Sequence, residues 1–232
     1  MRGWGFSTFP LATLAASLAL ISPATATCDP STLNTTTYYY PITEANTTVF
    51  DVARITKRGV CDIGRQNLMA DVTISPNVGE TFIIPAEVCD PDNTSCLLSG
   101  NATNTCIVGG PRLYYTVNGD TYEKIALRLN ITVDALMGNT EEGTTATDEL
   151  PVGQFIKVPL CENTTCVIKP YSFTWGVYKD LAEEFGTTVG QIMMLSATYN
   201  YSSLAFSAGG TFPPINILMN CTPPGKNVTV LN

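Results

Sequence analysis

The sequence contains few side chains that could carry out catalysis. It has no histidine among its 232 residues, which excludes the usual Ser-His-Asp triad and any metal centre built on imidazole ligands. A glycosidase would instead need two positioned carboxylates. The pairs Glu141-Glu142 and Glu183-Glu184 fall on a predicted loop and a predicted helix face, where solvation accounts for them. We therefore predict that the protein is not an enzyme and uses no cofactor.

Cysteine is the residue type that does offer chemistry. An even number of cysteines in an exported chain predicts disulfides, here four, with about a hundred possible connectivities. A metal site at Cys161 and Cys166 is the alternative, but the absence of histidine and an oxidising environment favour disulfides, so no metal is expected. The eight cysteines are Cys28, Cys61, Cys89, Cys96, Cys106, Cys161, Cys166 and Cys221.

The first 26 residues have the pattern of a signal peptide. A basic start at Arg2 is followed by an apolar stretch from Leu11 to Ile21 and by the small residues Ala24-Thr25-Ala26, after which cleavage is expected. The apolar stretch is too short to span a bilayer, and no later stretch is long enough. The C-terminus carries no hydrophobic anchor signal. The predicted location is therefore extracellular, with no membrane attachment.

Asn-x-Ser/Thr sequences agree with export, because they are acceptor sites for N-glycosylation in secreted proteins. A ninth such site, Asn220, has Cys221 in its middle position, so we expect it to stay unmodified if that cysteine is bridged. The eight predicted glycosylation sites are Asn34, Asn46, Asn93, Asn101, Asn130, Asn163, Asn200 and Asn227.

The charge balance excludes several classes of partner. Only 14% of the residues are charged and the net charge is −8. Nucleic acids and anionic lipids require a basic patch, so neither is expected as a partner. A neutral ligand suits this composition better.

The most regular stretch runs from Tyr114 to Pro159 and predicts a strand, two helices and a second strand. Alternation at the start favours a strand, and Asn118-Gly119-Asp120 favours a turn. Either Asp120 or Thr121 can cap a first helix, and Thr132 can cap a second, and the apolar residues of both have helical spacing. A polar loop from Thr140 to Glu149 leads to a second short strand that ends at Pro159.

This stretch, YTVNGDTYEKIALRLNITVDALMGN followed by LPVGQFIKVP, resembles a LysM domain. That family consists of small βααβ modules that bind polymers of N-acetylglucosamine, so the implied fold class is α+β. Two less regular copies have the same order of strands and helices. Short linkers, cross-linked by disulfides, join the three modules. The division is a signal peptide at 1–26, LysM modules at 38–85, 113–160 and 171–218, linkers at 86–112 and 161–170, and a tail at 219–232.

Three LysM modules behind a signal peptide resemble the secreted LysM effectors of plant-pathogenic fungi. The resemblance implies a protein of the apoplast or the fungal cell wall that binds chitin oligomers or wall chitin. It would sequester chitin fragments from plant receptors. The alternatives are a coat that protects hyphae from host chitinases and a structural wall glycoprotein that binds nothing.

The resemblance also implies where chitin binds. In the family, the ligand lies between the loop after the first strand and the loop before the last strand. Carried over to the second module, the first loop offers Gly119, Asp120, Thr121 and Tyr122, and the facing loop offers Ala146, Thr147, Asp148 and Leu150.

The first and third modules depart from this pattern. In the first module the corresponding residues are Asn46, Thr47 and Thr48, facing Val72, Thr73 and Ile74, and a glycan on Asn46 would lie in the ligand loop. In the third module they are Gly176, Val177 and Tyr178, facing Tyr199, Asn200 and Tyr201. Trp175 could cover a sugar face, but a position in the core or at the edge of the module is favoured. In relatives the first and third modules can close on one oligomer, but the altered turns of both modules weigh against the same arrangement here. A dimer induced by the ligand is a further possibility for this chain.

Overall fold

A computed structural model describes residues 28–100, 102–138, 140, 143–196, 213–225 and 228–231. The predicted signal peptide and the predicted site residues Asn101, Tyr199, Asn200, Tyr201 and Asn227 lie outside these ranges. Within them the chain forms helices and short strands that pair into two-stranded antiparallel sheets. The prediction of an α+β fold is confirmed. No helix of the described part is both long and apolar enough to cross a membrane.

The range predicted as the first module contains a strand, two helices and a strand. The first helix begins at a capping box, in which the Thr48 hydroxyl accepts from Asp51 N and the Asp51 carboxylate accepts from Thr48 N. Such reciprocal caps satisfy backbone groups that a helix end leaves free. The elements are β1 (Tyr38–Pro41), α1 (Val49–Thr56), α2 (Val60–Gln66) and β2 (Thr81–Ile84), with β1 antiparallel to β2.

The second range repeats this order, and its helices begin where the sequence predicts. The hydroxyls of Thr121 and Thr132 accept hydrogen bonds from the backbone N–H groups of Lys124 and Ala135. Asn130 ends the first of these helices in a left-handed conformation, with φ at 53°. The elements are β3 (Leu113–Tyr115), α3 (Tyr122–Leu129), α4 (Val133–Met137) and β4 (Phe155–Lys157), with β3 antiparallel to β4.

The third range has the same order with different boundaries. The first strand of this module begins at Val167 rather than Tyr171, and so it uses residues predicted as linker. Pro170 is tolerated there because a two-stranded sheet consists of edge strands. The end of the predicted second module and the start of the predicted linker also pair with the predicted tail. The elements are β5 (Leu160–Cys161), β6 (Val167–Tyr171), α5 (Tyr178–Phe185), α6 (Val189–Leu195), β7 (Ile215–Met219) and β8 (Val230–Leu231), pairing β6 with β7 and β5 with β8.

The apolar core is divided into two clusters that cross the module boundaries. One is built mainly from the first module, including Ile63 and Phe82, and also contains Val177 of the third. The other joins the second and third modules and takes in Ile74 of the first. Each large apolar side chain that is fully buried contributes about 1.5–3 kcal/mol. The three modules are therefore packed together, and their relative positions are set by shared burial.

Four disulfides reinforce this packing, as the sequence predicts. Modules of this size bury little core and commonly need such cross-links. The bridges span 35 to 61 residues, and in the chain-entropy model each stabilises the fold by roughly 4 kcal/mol. The pairs are Cys28–Cys89, Cys61–Cys96, Cys106–Cys161 and Cys166–Cys221.

Candidate functional site

The two loops predicted to bind ligand in the second module lie side by side. Glu123 N donates to the carbonyl of Ala146 over 3.0 Å, and Leu150 N donates to the carbonyl of Asp120 over 2.8 Å. Gly119 has a φ of 76°, a conformation that glycine adopts without a steric cost. The structure therefore brings the loop after β3 and the loop before β4 together along one edge of the module.

These loops present backbone and hydroxyl groups to solvent. Thr147 and Asp148 are exposed, whereas Gly119, Thr121 and Ala146 are half-buried. Hydrogen bonds from the hydroxyl and the backbone N–H of Thr145 lower the pKa of the Asp148 carboxyl. The exposed rim of the loop pair is therefore polar, and its carboxylate is ionised at neutral pH.

Three predicted site residues of the second module point inward instead. Leu150 and Tyr122 are buried in the shared core, and Tyr122 lines a cavity of about 190 Å³ with Leu136 and Phe155. The carboxylate of Asp120 is fully buried, where it accepts from Val117 N over 2.8 Å and from Arg128. The Asp120 side chain is thus used inside the protein and offers no free atom to a ligand.

Arg128, which the sequence analysis missed, organises this interior. Its Nε donates to Asp71 of the first module over 2.7 Å, and its Nη1 donates to Asp120 and to the Tyr114 hydroxyl. Burial alone would lower the pKa of Arg128, but Tyr114, Asp71 and Asp120 raise it well above its usual value. We call Arg128, Asp71 and Asp120 the Arg128 cluster. A signal existed, because positions 125, 128 and 129 share one helix face.

The predicted residues of the first module do not form one surface. Asn46 and Thr47 border a cavity of about 370 Å³ near Arg54, and Thr48 caps α1. Val72 and Ile74 are buried, and Thr73 is exposed. Val72 and Ile74 belong to the two apolar clusters that cross the module boundaries, so neither side chain can reach a ligand. The local sequence does not reveal this burial.

The predicted residues of the third module lie against the first module. Val177 and Tyr178 are buried, and Tyr178 N donates to the carbonyl of Met69 over 3.2 Å. Gly176 N donates to the carbonyl of Arg65 over 3.2 Å. Trp175, immediately before this contact, is 64% exposed. These two backbone hydrogen bonds therefore hold the loop after β6 against the first module, and Trp175 lies just before the first of them.

The predicted glycosylation sites that the structure describes are all on the surface. Those at Asn34, Asn46, Asn93, Asn130 and Asn163 are exposed, and their modification stays a prediction. Cys221 is bridged to Cys166, which is the condition under which we expect Asn220 to stay unmodified.

Comparison with known proteins agrees with the arrangement of the second module. A model of the LysM domain matches residues 114–159. The chain is 46% identical over 226 residues to the secreted LysM effector LysM13 of Penicillium expansum, which covers 95% of this chain and 96% of the relative. The chain belongs to the secreted LysM effectors. This membership confirms the predictions that the protein is secreted and that it is not an enzyme.

Two further relatives have lower identity to this LysM effector. The secreted LysM effector ECP6 of Passalora fulva is 37% identical over 161 residues, which is 68% of this chain and 69% of the relative. The secreted LysM effector ELP2 of Colletotrichum higginsianum is 34% identical over 185 residues, covering 67% of this chain and 99% of the relative.

Proposed function

We propose that this LysM effector binds chitin oligomers through the adjoining loops of its second module. The observation that carries the proposal is the pair of backbone hydrogen bonds that hold Gly119–Tyr122 beside Ala146–Leu150, inside the stretch that matches the LysM domain. An N-acetylglucosamine chain presents amides that require backbone partners, together with methyl groups and ring faces that favour apolar contact.

The loop pair supplies both kinds of contact. A Cβ at Gly119 would meet no atom closer than Lys124 Nζ at 3.7 Å, so the backbone there is open to a ligand. Lys124 Nζ donates to the carbonyl of Gly119 over 2.6 Å and fixes the turn. Thr147 supplies a hydroxyl on the opposite side, and the half-buried Ala146 supplies apolar surface.

The proposal also treats the other two regions as LysM modules. Both have the order strand, helix, helix, strand, and in both the outer strands pair antiparallel. As a secreted effector, the protein would sequester chitin fragments and so withhold them from plant receptors. Its low content of charged residues suits a neutral sugar.

Calorimetry of the secreted protein against a chitin hexamer and a cellulose hexamer tests the binding step. Thr147→Arg places a long charged side chain on the exposed rim, and we expect it to weaken chitin binding at least tenfold. Thr105→Arg is the matched control, because Thr105 is exposed on the linker, and it should bind as the wild type does. Equal binding by both variants would place the ligand elsewhere.

The effector role has a separate readout. Plant cells treated with the chitin hexamer should respond less when the protein is present, and Thr147→Arg should restore the response. Protection of hyphae from chitinase without any effect on the plant response would favour the coat instead. Sedimentation with and without hexamer would show whether the ligand drives dimerisation.

A further inference from the structure

A cavity of about 450 Å³ lies where the second and third modules meet the linker and the tail. Its volume falls within the range of about 300–1,000 Å³ that is typical of ligand sites, and it lies apart from the loop pair that the proposed function uses. The lining comes from four parts of the chain. They are the linker between Thr103 and Val108, the end of α3 at Leu129 and Asn130, the segment between Gly186 and Gln191, and Pro224 and Val228 of the tail.

The lining of this cavity is polar but uncharged. Threonine hydroxyls and asparagine amides supply the polar groups, and Ile107 and Val228 supply apolar surface. Every described residue of the lining is neutral, because its two cysteines, Cys106 and Cys161, are bridged to each other. A charged ligand would lose hydration here without gaining a counter-ion. Hydroxyl, amide and apolar groups together suit a neutral sugar that carries an acetamido group.

Gln191 fixes the wall that the third module contributes. Its Nε2 donates to the carbonyls of Val108 and Gly109 over 2.9 and 3.1 Å. Its Oε1 accepts from the hydroxyls of Thr187 and Thr188 over 3.3 and 3.1 Å. In the described contacts the Thr187 hydroxyl is only a donor, so its oxygen can still accept a hydrogen bond. The wall is therefore in place before any ligand arrives, which lowers the cost of binding.

Asn130 stands at the mouth of the cavity. Its side chain is exposed, it borders the cavity, and it begins the glycosylation sequence Asn130-Ile131-Thr132. Its backbone is held in the left-handed conformation, with φ at 53°, and its carbonyl accepts from Asn104 Nδ2 over 3.1 Å. An N-linked glycan begins with N-acetylglucosamine, so the first sugar on Asn130 would start at the opening of an uncharged cavity.

We propose that this cavity seats the first N-acetylglucosamine of a glycan carried by Asn130. In the secretory pathway, the amide nitrogen of Asn130 displaces the pyrophosphate leaving group of a lipid-linked oligosaccharide at C1 of the sugar and loses one proton. The seated sugar then bridges the second module, the third module, the linker and the tail. Because the sugar is covalently attached, its effective concentration at the cavity is high and seating requires no second molecule.

A second groove on the other side of Asn130 is the competing seat. It has a volume of about 330 Å³ and includes Leu98 and Leu127. It also contains the ion pair of Lys179 and Glu183, and a sugar seated there would take water from both charges. The larger and uncharged cavity is therefore the favoured seat, and its methyl groups differ from those of the groove.

Nuclear magnetic resonance of the glycosylated, secreted protein locates the sugar. Endoglycosidase H trims each high-mannose glycan to its first N-acetylglucosamine, whose acetyl methyl group serves as the probe. We expect nuclear Overhauser effects from the methyl group on Asn130 to the methyl groups of Ile107 and Val228. Effects to Leu98 and Leu127 would place the sugar in the second groove, and effects to neither pair would place it in solvent. Either result would overturn the proposal, as would a mass spectrum showing Asn130 unmodified.

Thermal unfolding provides the second measurement. Asn130→Gly removes the sugar without straining the backbone, because glycine adopts a positive φ readily, and we expect the melting temperature to fall by about 2–4 °C. Asn163→Gly is the matched control, because Asn163 is an exposed predicted glycosylation site with φ at 58° and lies outside the lining of the cavity. It should melt as the wild type does.

Trimming separates the first sugar from the rest of the glycan. The trimmed wild type should melt at the same temperature as the untrimmed protein, because the seated sugar is kept. A loss on trimming as large as that of Asn130→Gly would assign the stabilisation to the outer sugars and overturn the seat. Equal melting temperatures for Asn130→Gly and Asn163→Gly would also overturn it. Neither measurement uses chitin, so the result does not depend on the proposed function.

Discussion

Two arginine clusters join the modules of this protein, and they differ in their exposure to water. In the Arg128 cluster the side chain of Arg128 is 1% exposed, and those of Asp71 and Asp120 are 7% and 0% exposed. Arg65, Asp92 and Asp180 form the second cluster, which we call the Arg65 cluster. Its arginine side chain is 14% exposed, and those of Asp92 and Asp180 are 27% and 29% exposed. Each arginine lies on a helix and pairs with a carboxylate of another module.

This difference in exposure decides how much each cluster contributes to stability. A buried ion pair has lost its hydration, so removal of one partner leaves an uncompensated charge. A partly exposed pair keeps much of its hydration and contributes little to stability. The Arg128 cluster therefore fixes the first module against the second, whereas the Arg65 cluster lies at the surface beside the exposed Trp175.

The largest effect is expected from Arg128→Met. This variant leaves Asp71 and Asp120 buried without their cation, and we expect the free energy of unfolding to fall by about 3–5 kcal/mol. Urea unfolding with the disulfides intact measures it. Arg54→Met is the control, because Arg54 pairs with Asp51 on the surface, and it should leave the midpoint unchanged. A loss for Arg128→Met no larger than that of the control would show that water reaches the carboxylates.

The second-largest effect is expected from acid, which should reduce the stability that the Arg128 cluster contributes. Burial alone would raise the pKa of Asp71, but the charge and hydrogen bonds of Arg128 and the bonds from Thr73 lower it overall. Because the folded pKa lies below the unfolded value of about 3.9, this stabilisation is complete above about pH 4 and is lost as the pH falls further.

The measurement compares wild type with Asp71→Asn. At pH 6 the wild type should be the more stable in urea, and this difference in stability should narrow at pH 3, where the Asp71 carboxyl takes up a proton more readily in the unfolded than in the folded state. A gap that stays constant between these pH values would mean that the Asp71 carboxyl does not titrate in this range in either state.

Local features of the fold could be predicted from sequence, but contacts between distant residues could not. Thr121 and Thr132 cap helices where the sequence predicts helix starts, because capping depends on residues within one turn. Arg128 and Asp71 are 57 residues apart, and nothing in the local pattern of either indicates the other. The start of β6 at Val167 likewise depends on its pairing with Met219.

The candidate site shows the same limit. The proximity of the two loops of the second module follows from the order of its elements, so the resemblance predicted it. The direction of the Asp120 side chain could not be predicted from the sequence. Asn-Gly-Asp favours a turn whether the carboxylate faces a ligand or, as in the structure, Arg128. For Trp175, the sequence favoured the core or the edge of the module, and the structure shows the exposed edge, with the Arg65 guanidinium 5.8 Å from the ring centroid.

A smaller effect on stability is expected from Arg65→Ala, although it removes as many charged contacts. The free energy of unfolding should fall by about 1 kcal/mol or less, because the cluster is partly hydrated. The ring of Trp175 should become more mobile, seen as lower fluorescence anisotropy and stronger acrylamide quenching. If the anisotropy stays at the wild-type value, the Arg65 side chain does not hold the ring. The backbone hydrogen bond from Gly176 would then be what positions Trp175.

The smallest effect should come from salt, and it distinguishes the two clusters directly. Raising the ionic strength from 0.1 M to 1 M shortens the screening length from about 10 Å to about 3 Å. The stability gap between wild type and Arg65→Ala should then narrow by a few tenths of a kcal/mol. The gap between wild type and Arg128→Met should not change, because ions do not enter the buried cluster. Equal salt dependence of the two gaps would mean that both clusters are equally hydrated in solution, and the contrast in their roles would not hold.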